Sequence, residues 1–476
     1  MKKIPHTYVI IFILIIIAAV CTWITPSGEF TRQIVQTASG KTVNQIVPGT
    51  YHHTASSPQT WQIMSALFKG FQKAPAIIAF ILILGGAFWI LNQTRAIDVG
   101  VAVFLDKSKK LEKYSFFRKA GINNLTIILI MVMFSLFGAV FGMSEETIAF
   151  TAIFVPLAIS MGYDSITGVC MSFLAAGLGF AGCILNPFTL GIAQDIAGIK
   201  MFSGIEYRLV IWFVITFTGI AFVLSYANKI KKHPEKSLTY NSDGYWRKNS
   251  LHPQSEQTVT DKKRALWSLA VLGLTIVALV VGVTAFDWEF NQIAALFFAM
   301  AIATGFIAGK TPSEIAQLFI AGCKDILSAA LVVGLASGII VILEDGKIID
   351  TLLYAVSNTV ASSGKYGALS VMYGFQTLLN AIITSGTAKA AMLMPMFKEI
   401  SDIVGLSLQS TVTAFHIGDG FTNLITPTSG VLIAVLGVAR IPYEKWVRFA
   451  WKFILAMIVL GWLLLLPTLY FHFPGF

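Results

Sequence analysis

Residues His416–Gly430 read HIGDGFTNLITPTSG, and apolar helical stretches flank the run on both sides. Hydropathy therefore places it at membrane depth. Yet it carries an acid (Asp419), an amide (Asn423), the hydroxyls of Thr422, Thr426, Thr428 and Ser429, three glycines and a proline. Hydrocarbon offers no partner to an unsatisfied backbone N–H or C=O. Irregular polar chain survives there only when buried in protein or beside a water-filled cavity. A helix-breaking polar run at that depth marks a transport site in a membrane protein.

The rest of the composition agrees with a membrane setting. The 476 residues are 56% hydrophobic and 12% charged, with mean hydropathy +0.75, whereas soluble domains carry about 25% charged residues. Apolar runs near the spanning length of about 20 residues recur along the chain. The expected fold is an all-α polytopic membrane protein of about 9–11 spans. The net charge of +10 lies between spans, which fits basic cytoplasmic loops beside a lipid bilayer and argues against a nucleic-acid partner. Cys21, Cys170, Cys183 and Cys323 show no CxxC spacing and read as small core residues, with neither a disulfide framework nor a structural metal. The start of the chain resembles a signal peptide, but Val20 is a poor residue before a cleavage site, so Tyr8–Ile24 reads as an uncleaved first span with a cytoplasmic N-terminus.

Along the chain, the polar segment 25–60 reads as an external loop. Lys107, Lys109, Lys110, Lys113, Arg118 and Lys119 mark a cytoplasmic side, as do the nine basic residues of 228–264. The organisation expected is a first repeat (1–227) with a hairpin at 124–160 and a broken helix at 165–199. A cytoplasmic basic loop (228–264) and a linker span (265–285) follow. The second repeat (286–476) has a hairpin at 366–400 and a broken helix at 406–439. Two readings of 124–160 stand side by side: a re-entrant hairpin with the tip GMSEETIAFTAIFVP (Gly142–Pro156), or two ordinary spans joined by a charged outer turn at Glu145 and Glu146.

Ordered pairs at near-constant offset support the duplication. Gly177-Leu178-Gly179-Phe180 pairs with Gly418-Asp419-Gly420-Phe421, Pro187 with Pro427 at an offset of 240 (427 − 187), Pro156 with Pro395, and Arg208 with Arg448. Ile97-Asp98 pairs with Ile349-Asp350 at a slightly longer offset. An odd number of crossings separates matching points, so the second copy is inverted. Inverted repeats with broken helices meeting at the midplane belong to alternating-access transporters.

The polar tips and breaks supply the candidate site. From the first half come Ser144, Glu145, Glu146, Thr147, Asn186 and Thr189, with Gln194 further along; from the second come Ser385, Gly386, Thr387 and Lys389 after Thr384, then Asp419, Thr422, Asn423, Thr426, Thr428 and Ser429. Helix N-termini after Pro187 and Pro427 present amide N–H groups to an anionic group. Oxygens near Asn186, Asn423 and Thr426 suit a sodium ion, and the coupling ion is expected to be Na+ or H+; no other cofactor is expected. Each residue also has a structural reading. Membrane Ser and Thr often bond back to helix carbonyls, the asparagines can satisfy freed backbone, Lys389 can snorkel or pair with an acid, and His416 can be a satisfied helix histidine. Asp419 is the hardest to explain structurally, because an unpaired carboxylate at this depth is expensive.

These motifs resemble the anaerobic C4-dicarboxylate carrier (DcuC) family of the ion-transporter superfamily, and in particular its YfcC-like branch. The resemblance is carried by Lys3-Ile4-Pro5-His6, Thr25-Pro26-Ser27-Gly28, Gly142-Met143-Ser144-Glu145-Glu146-Thr147, Asn186-Pro187-Phe188-Thr189, Ser385-Gly386-Thr387-Ala388-Lys389 and Gly418–Gly430. It implies a homodimeric secondary carrier of the bacterial inner membrane, with a scaffold, two hairpins and an elevator-like transport domain. The superfamily's dicarboxylate carriers use Ser-Asn-Thr tips, from which Ser144-Glu145-Glu146-Thr147 and Ser385-Gly386-Thr387 depart. Two glutamates and Asp419 around one lysine repel a dianion, so a small amino acid, with a basic one favoured, fits better than a C4-dicarboxylate. An ion channel is the competing class. An intramembrane aspartyl protease built on Tyr163-Asp164 and Gly418-Asp419 is disfavoured because His416 stands where its motif needs glycine, and no enzymatic chemistry is expected.

Overall fold

The computed structural model describes residues 7–36, 42–96, 99, 121–200, 202–250, 259–286, 288, 290–361, 363–471 and 473–476. The residues 3–6, the pair Ile97-Asp98 and the lysines between 107 and 119 lie outside them. The helices are α1 (Thr7–Ile24), α2 (Gln62–Lys73) and α3 (Pro75–Gln93), then α4 (Ile122–Phe141) and α5 (Thr147–Ser160). Next come α6 (Ser165–Gly182), which carries a π turn at Cys170–Leu174, a second π turn at Pro187–Gly191, and α7 (Ile192–Ala197). They continue as α8 (Ile205–Lys232), α9 (Gly244–Ser250), α10 (Val259–Phe286), α11 (Phe290–Ile307) and α12 (Pro312–Asp345). The series ends with α13 (Ile349–Ala361), α14 (Gly364–Asn380), α15 (Gly386–Val404), α16 (Leu408–Thr422), α17 (Gly430–Ala439) and α18 (Tyr443–Leu465).

The protein is an all-α polytopic membrane protein. Among the described residues five helices are long and apolar enough to cross a membrane, six if the two bent parts of α12 count as one span. Their outward faces carry exposed Leu129, Phe213, Phe217, Leu455 and Leu463, as lipid-facing surfaces do. By contrast 89% of Ser165–Gly182 is buried, so α6 runs through the middle of the protein rather than along its lipid face.

Two packing groups follow from the contacts. α1, α2, α3, α11 and α12 pack on one another, with α12 lying along both α2 and α3. In the other group α4, α5 and α8 pack on α6, while α14, α15 and α18 pack on α16. Helix α6 crosses α16, α17 packs on α5, and α7 packs on α15. The two halves are thus exchanged reciprocally about the α6/α16 crossing. Gly-x-Gly-Phe explains that crossing. Both copies are helical, not broken: at the α6/α16 crossing a Cβ at Gly420 would sit 2.6 Å from Ala181 Cα, while one at Gly179 would sit 2.7 Å from Ser135 Cα, on the α4 side of α6. Small residues let membrane helix backbones meet. The breaks come later, at 183–186 and 423–429.

The segment 25–60 is not simply a loop. It forms two small antiparallel sheets, β1 (Gly28–Glu29) with β4 (His52–His53), and β2 (Arg32–Gln36) with β3 (Thr42–Ile46). Arg32 and the Phe30 amide both engage Asp350 (2.7 and 3.0 Å), and Tyr51 stacks on Tyr354, so this cap is fastened to α13. The segment 228–264 is likewise ordered over much of its length, because α8 extends to Lys232 and α10 begins at Val259. Ser237 and Tyr226 donate to Asp164 (2.7 and 2.5 Å), and Asp243 accepts from the Ser165 amide and Thr239. Burial pushes the Asp243 carboxyl above its usual range. Trp246 donates to the Ala439 carbonyl at 3.1 Å, and Arg440 stacks on Tyr245 while pairing with Asp325 of α12. The strap thereby joins the start of α6 to the end of α17, where Arg440 reaches the interior of α12. Asp164 is absorbed in that network, bonded to its own helix start, Tyr226 and Ser237, which removes the pairing with Asp419 that a protease would need.

Candidate functional site

The hairpin tip between α4 and α5 bends because Gly142, at φ +69°, takes the left-handed conformation that ends α4. A Cβ there would also strike the Asn186 amide group at 2.7 Å. Glu146 folds back to accept the Ser144 N–H at 3.1 Å, and the Thr147 hydroxyl donates to the Ser144 carbonyl. With Glu146 only 7% exposed, this tip is interior rather than a solvated turn. The second tip starts α15 through Ser385, whose hydroxyl accepts the Ala388 N–H at 3.4 Å. Ser429 does the same for Leu432 at the start of α17.

These pieces enclose a cavity of about 510 Å³. Its wall includes Ser144, Glu145, Glu146, Thr189, Thr384, Ser385, Gly386, Asp419, Asn423, Ser429 and Gly430, with Ile77, Ile293 and Trp288 contributed by α3, α11 and the turn before α11. Both hairpin tips, the second break and the first break's π turn therefore meet at one place, against the α3/α11 side. Among the described residues three acids line the cavity, and none of the lining residues is Lys, Arg or His.

Lys389 is not on that wall. It lies behind it, fully buried, with its Nζ paired to Asp419 Oδ1 and Asn380 Oδ1. Asn380, at the last turn of α14, is the residue the sequence reading missed. Its Nδ2 reaches the Asp419 carbonyl, Thr422 Oγ1 and Asn423 Oδ1 at 2.6–3.1 Å, and that set of acceptors turns its Oδ1 toward the lysine. The second oxygen of Asp419 has no hydrogen-bond partner and sits 2.7 Å from the position of a Cβ at Gly386.

Other candidates prove to be structural neighbours of the site. Thr426 and Thr428 both donate to the Ala381 carbonyl (2.9 and 2.7 Å) and contact each other, holding the break onto the second tip. Thr147 and Thr422 are bonded within the tip and to Asn380. Asn186 accepts the Thr189 N–H. Gln194 bonds Gln409 and the backbone around Ser203, away from the cavity. The side chain of Thr387 lies outside the described residues. Asn186, Asn423 and Thr426 bond different neighbours, and Asn423 is on the cavity wall. His416 is a satisfied helix histidine. Its Nε2 lies 2.7 Å from the Phe180 carbonyl, which can only accept, so Nε2 carries the proton and Nδ1 accepts from Thr189 at 3.1 Å.

The sequence model of the C4-dicarboxylate anaerobic carriers, DcuC, matches residues 4–470. The chain belongs to that family. Among DcuC relatives, an Escherichia coli (strain K12) protein described as "Putative basic amino acid antiporter YfcC" is 33% identical, over 93% of this chain and 92% of its own. A Haemophilus influenzae protein, described only as an uncharacterized protein, is 27% identical over 97% and 96%. Two solved structures align over most of both chains. They are MtrF of Neisseria gonorrhoeae (14% identity, 98% and 95% covered, TM-score 0.41) and the YdaH transporter of Alcanivorax borkumensis (16%, 97% and 98%, TM-score 0.38). At those scores the likeness supports no inference about this chain. The family assignment makes this DcuC protein a multi-pass member of a secondary-transporter family.

Proposed function

We propose that the protein is an elevator-type secondary transporter of a small amino acid bearing an additional cationic group, working as an exchanger or a cation-coupled carrier in the bacterial inner membrane, as a homodimer. The observation that carries this reading is the charge of the cavity: among the described residues Glu145, Glu146 and Asp419 line it with no lining cation. Unit charges about 4 Å apart interact by about 4 kcal/mol at an effective dielectric near 20. Lys389 already compensates Asp419 from behind, so Glu146 is the lining acid left to receive a cation. Trp288, also on the wall, adds an aromatic side chain of the kind ammonium and guanidinium groups favour.

The other end of an amino acid has its own place. Helices α15 and α17 begin at Gly386 and Gly430, both on the cavity wall. The first amides of a helix lack intrahelical partners and carry partial positive charge, which suits a carboxylate. One carboxylate at these N-termini and one cation at Glu146 describe a basic amino acid. A C4-dicarboxylate would leave its second carboxylate facing acids. The description of the Escherichia coli relative points the same way. The cavity lies between the α3/α11/α12 group and the hairpin group, so sliding of one group along the other would carry it across the bilayer.

The test is uptake of radiolabelled lysine, arginine and succinate into proteoliposomes. Lysine or arginine uptake, not displaced by succinate, is expected. Glu146→Gln keeps an oxygen to accept the Ser144 N–H while deleting the charge. It is expected to lower apparent affinity for the basic amino acid by about 10–100-fold, on the order of 1.4–2.7 kcal/mol, with the amount of folded protein unchanged. Uptake of succinate alone, or unaltered affinity in Glu146→Gln, would sink this reading.

A further inference from the structure

Behind the cavity wall the geometry points to a cation site that the chain fills with its own lysine: we infer that the Lys389 ammonium takes the place of an inorganic coupling cation, so that the carrier runs without sodium. Three observations converge. The ammonium is fully buried and held by oxygens only, Asp419 Oδ1 and Asn380 Oδ1. Asn380 cannot turn away, because its Nδ2 is engaged by the Asp419 carbonyl, Thr422 and Asn423. These oxygens come from the end of one helix (α14) and the last turns of another (α16) next to a hairpin tip, where carbonyl and carboxylate oxygens suit a hard cation. The remaining oxygen, Asp419 Oδ2, is buried without a partner on the cavity side.

A lysine in such a cradle has a consequence that an ordinary structural ion pair lacks. Removing the side chain leaves a carboxylate, an amide oxygen and the space of an ammonium, which is a vacancy for a monovalent cation. The inference rests on the transport reading for its functional half, so its principal test is free of substrate. Thermal unfolding of the purified full-length protein in sodium chloride is compared with that in choline chloride, for wild type and Lys389→Ala. Equal melting of the wild type in both salts is expected, with Lys389→Ala melting several degrees higher in sodium. Sodium stabilisation of the wild type, or indifference of Lys389→Ala to sodium, overturns it. Should Lys389→Ala be recovered folded in only one salt, recovery in sodium supports the proposal; recovery in choline only, or in neither salt, overturns it. Lysine uptake by the wild type is then measured without sodium: persistence supports the proposal and strict sodium dependence overturns it. Absence of any lysine or arginine uptake refutes the substrate reading alone, and the melting comparison still decides the cation site.

Discussion

Asp419→Ala is expected to destabilise the protein by about 3–5 kcal/mol, because it strands the Lys389 ammonium in a fully buried setting. The cost is not the value of the ion pair itself. Two buried charges that neutralise each other repay much of their desolvation, whereas one alone repays nothing. Joint replacement, Lys389→Met with Asp419→Leu, is therefore expected to recover most of that loss, since it removes both charges and keeps apolar volume. Melting of the two single variants and the double variant forms a cycle whose coupling should be several kcal/mol. Transport separates from stability in the same set. The double variant should be folded and inactive in proteoliposomes, because the cavity has lost Asp419. A double variant that is no more stable than Asp419→Ala would show that the pair does not set the cost.

Gly179→Val is expected to lower stability by about 3 kcal/mol and to reduce transport with it. At this position a Cβ runs into the Ser135 carbonyl, and at Gly138 on the facing helix one runs into the Ala176 carbonyl. Backbone lies against backbone there, and no rotamer can relieve it; overpacking of this kind costs about 1–3 kcal/mol and occasionally more. Separating α4 from α6 also moves the tip that carries Glu145 and Glu146. Gly374→Ala is the control. No atom lies within 4 Å of its Cβ position in α14, so helix propensity alone predicts a gain of about 0.5–1 kcal/mol. Thermostability by gel filtration after heating distinguishes the two, and equal effects would contradict the close-crossing explanation.

Glycine was the residue type whose meaning the sequence hid. Gly-x-Gly-Phe reads as a helix break, yet Gly177, Gly179, Gly418 and Gly420 all lie in continuous helix. A helix tolerates glycine at modest cost, and only the neighbour across the crossing reveals what the missing Cβ is for. Asn380 was invisible for a similar reason. It is a single amide closing an apolar helix, with no motif around it, and its importance comes from Lys389, Asp419, Thr422 and Asn423 arriving beside it from other parts of the chain. Thr426 and Thr428 show the converse. They look like ligands in a polar run, but their hydroxyls are spent on the Ala381 carbonyl.

The sequence by itself determined that this is a helical membrane protein whose polar runs must be interior, because hydrocarbon gives no partner to stray backbone or charge. It also marked the tips and breaks, and Asp419 as an acid needing an explanation. Which polar groups face the cavity and which stand behind it was decided by the tertiary structure alone. Lys389 and Asp419 are 30 residues apart, and their meeting depends on how α15 crosses α16, a geometry set by side-chain volume and close backbone contact rather than by any local pattern. That crossing turned one acid into the compensated half of a buried pair and left Glu146 as an acid of the cavity wall.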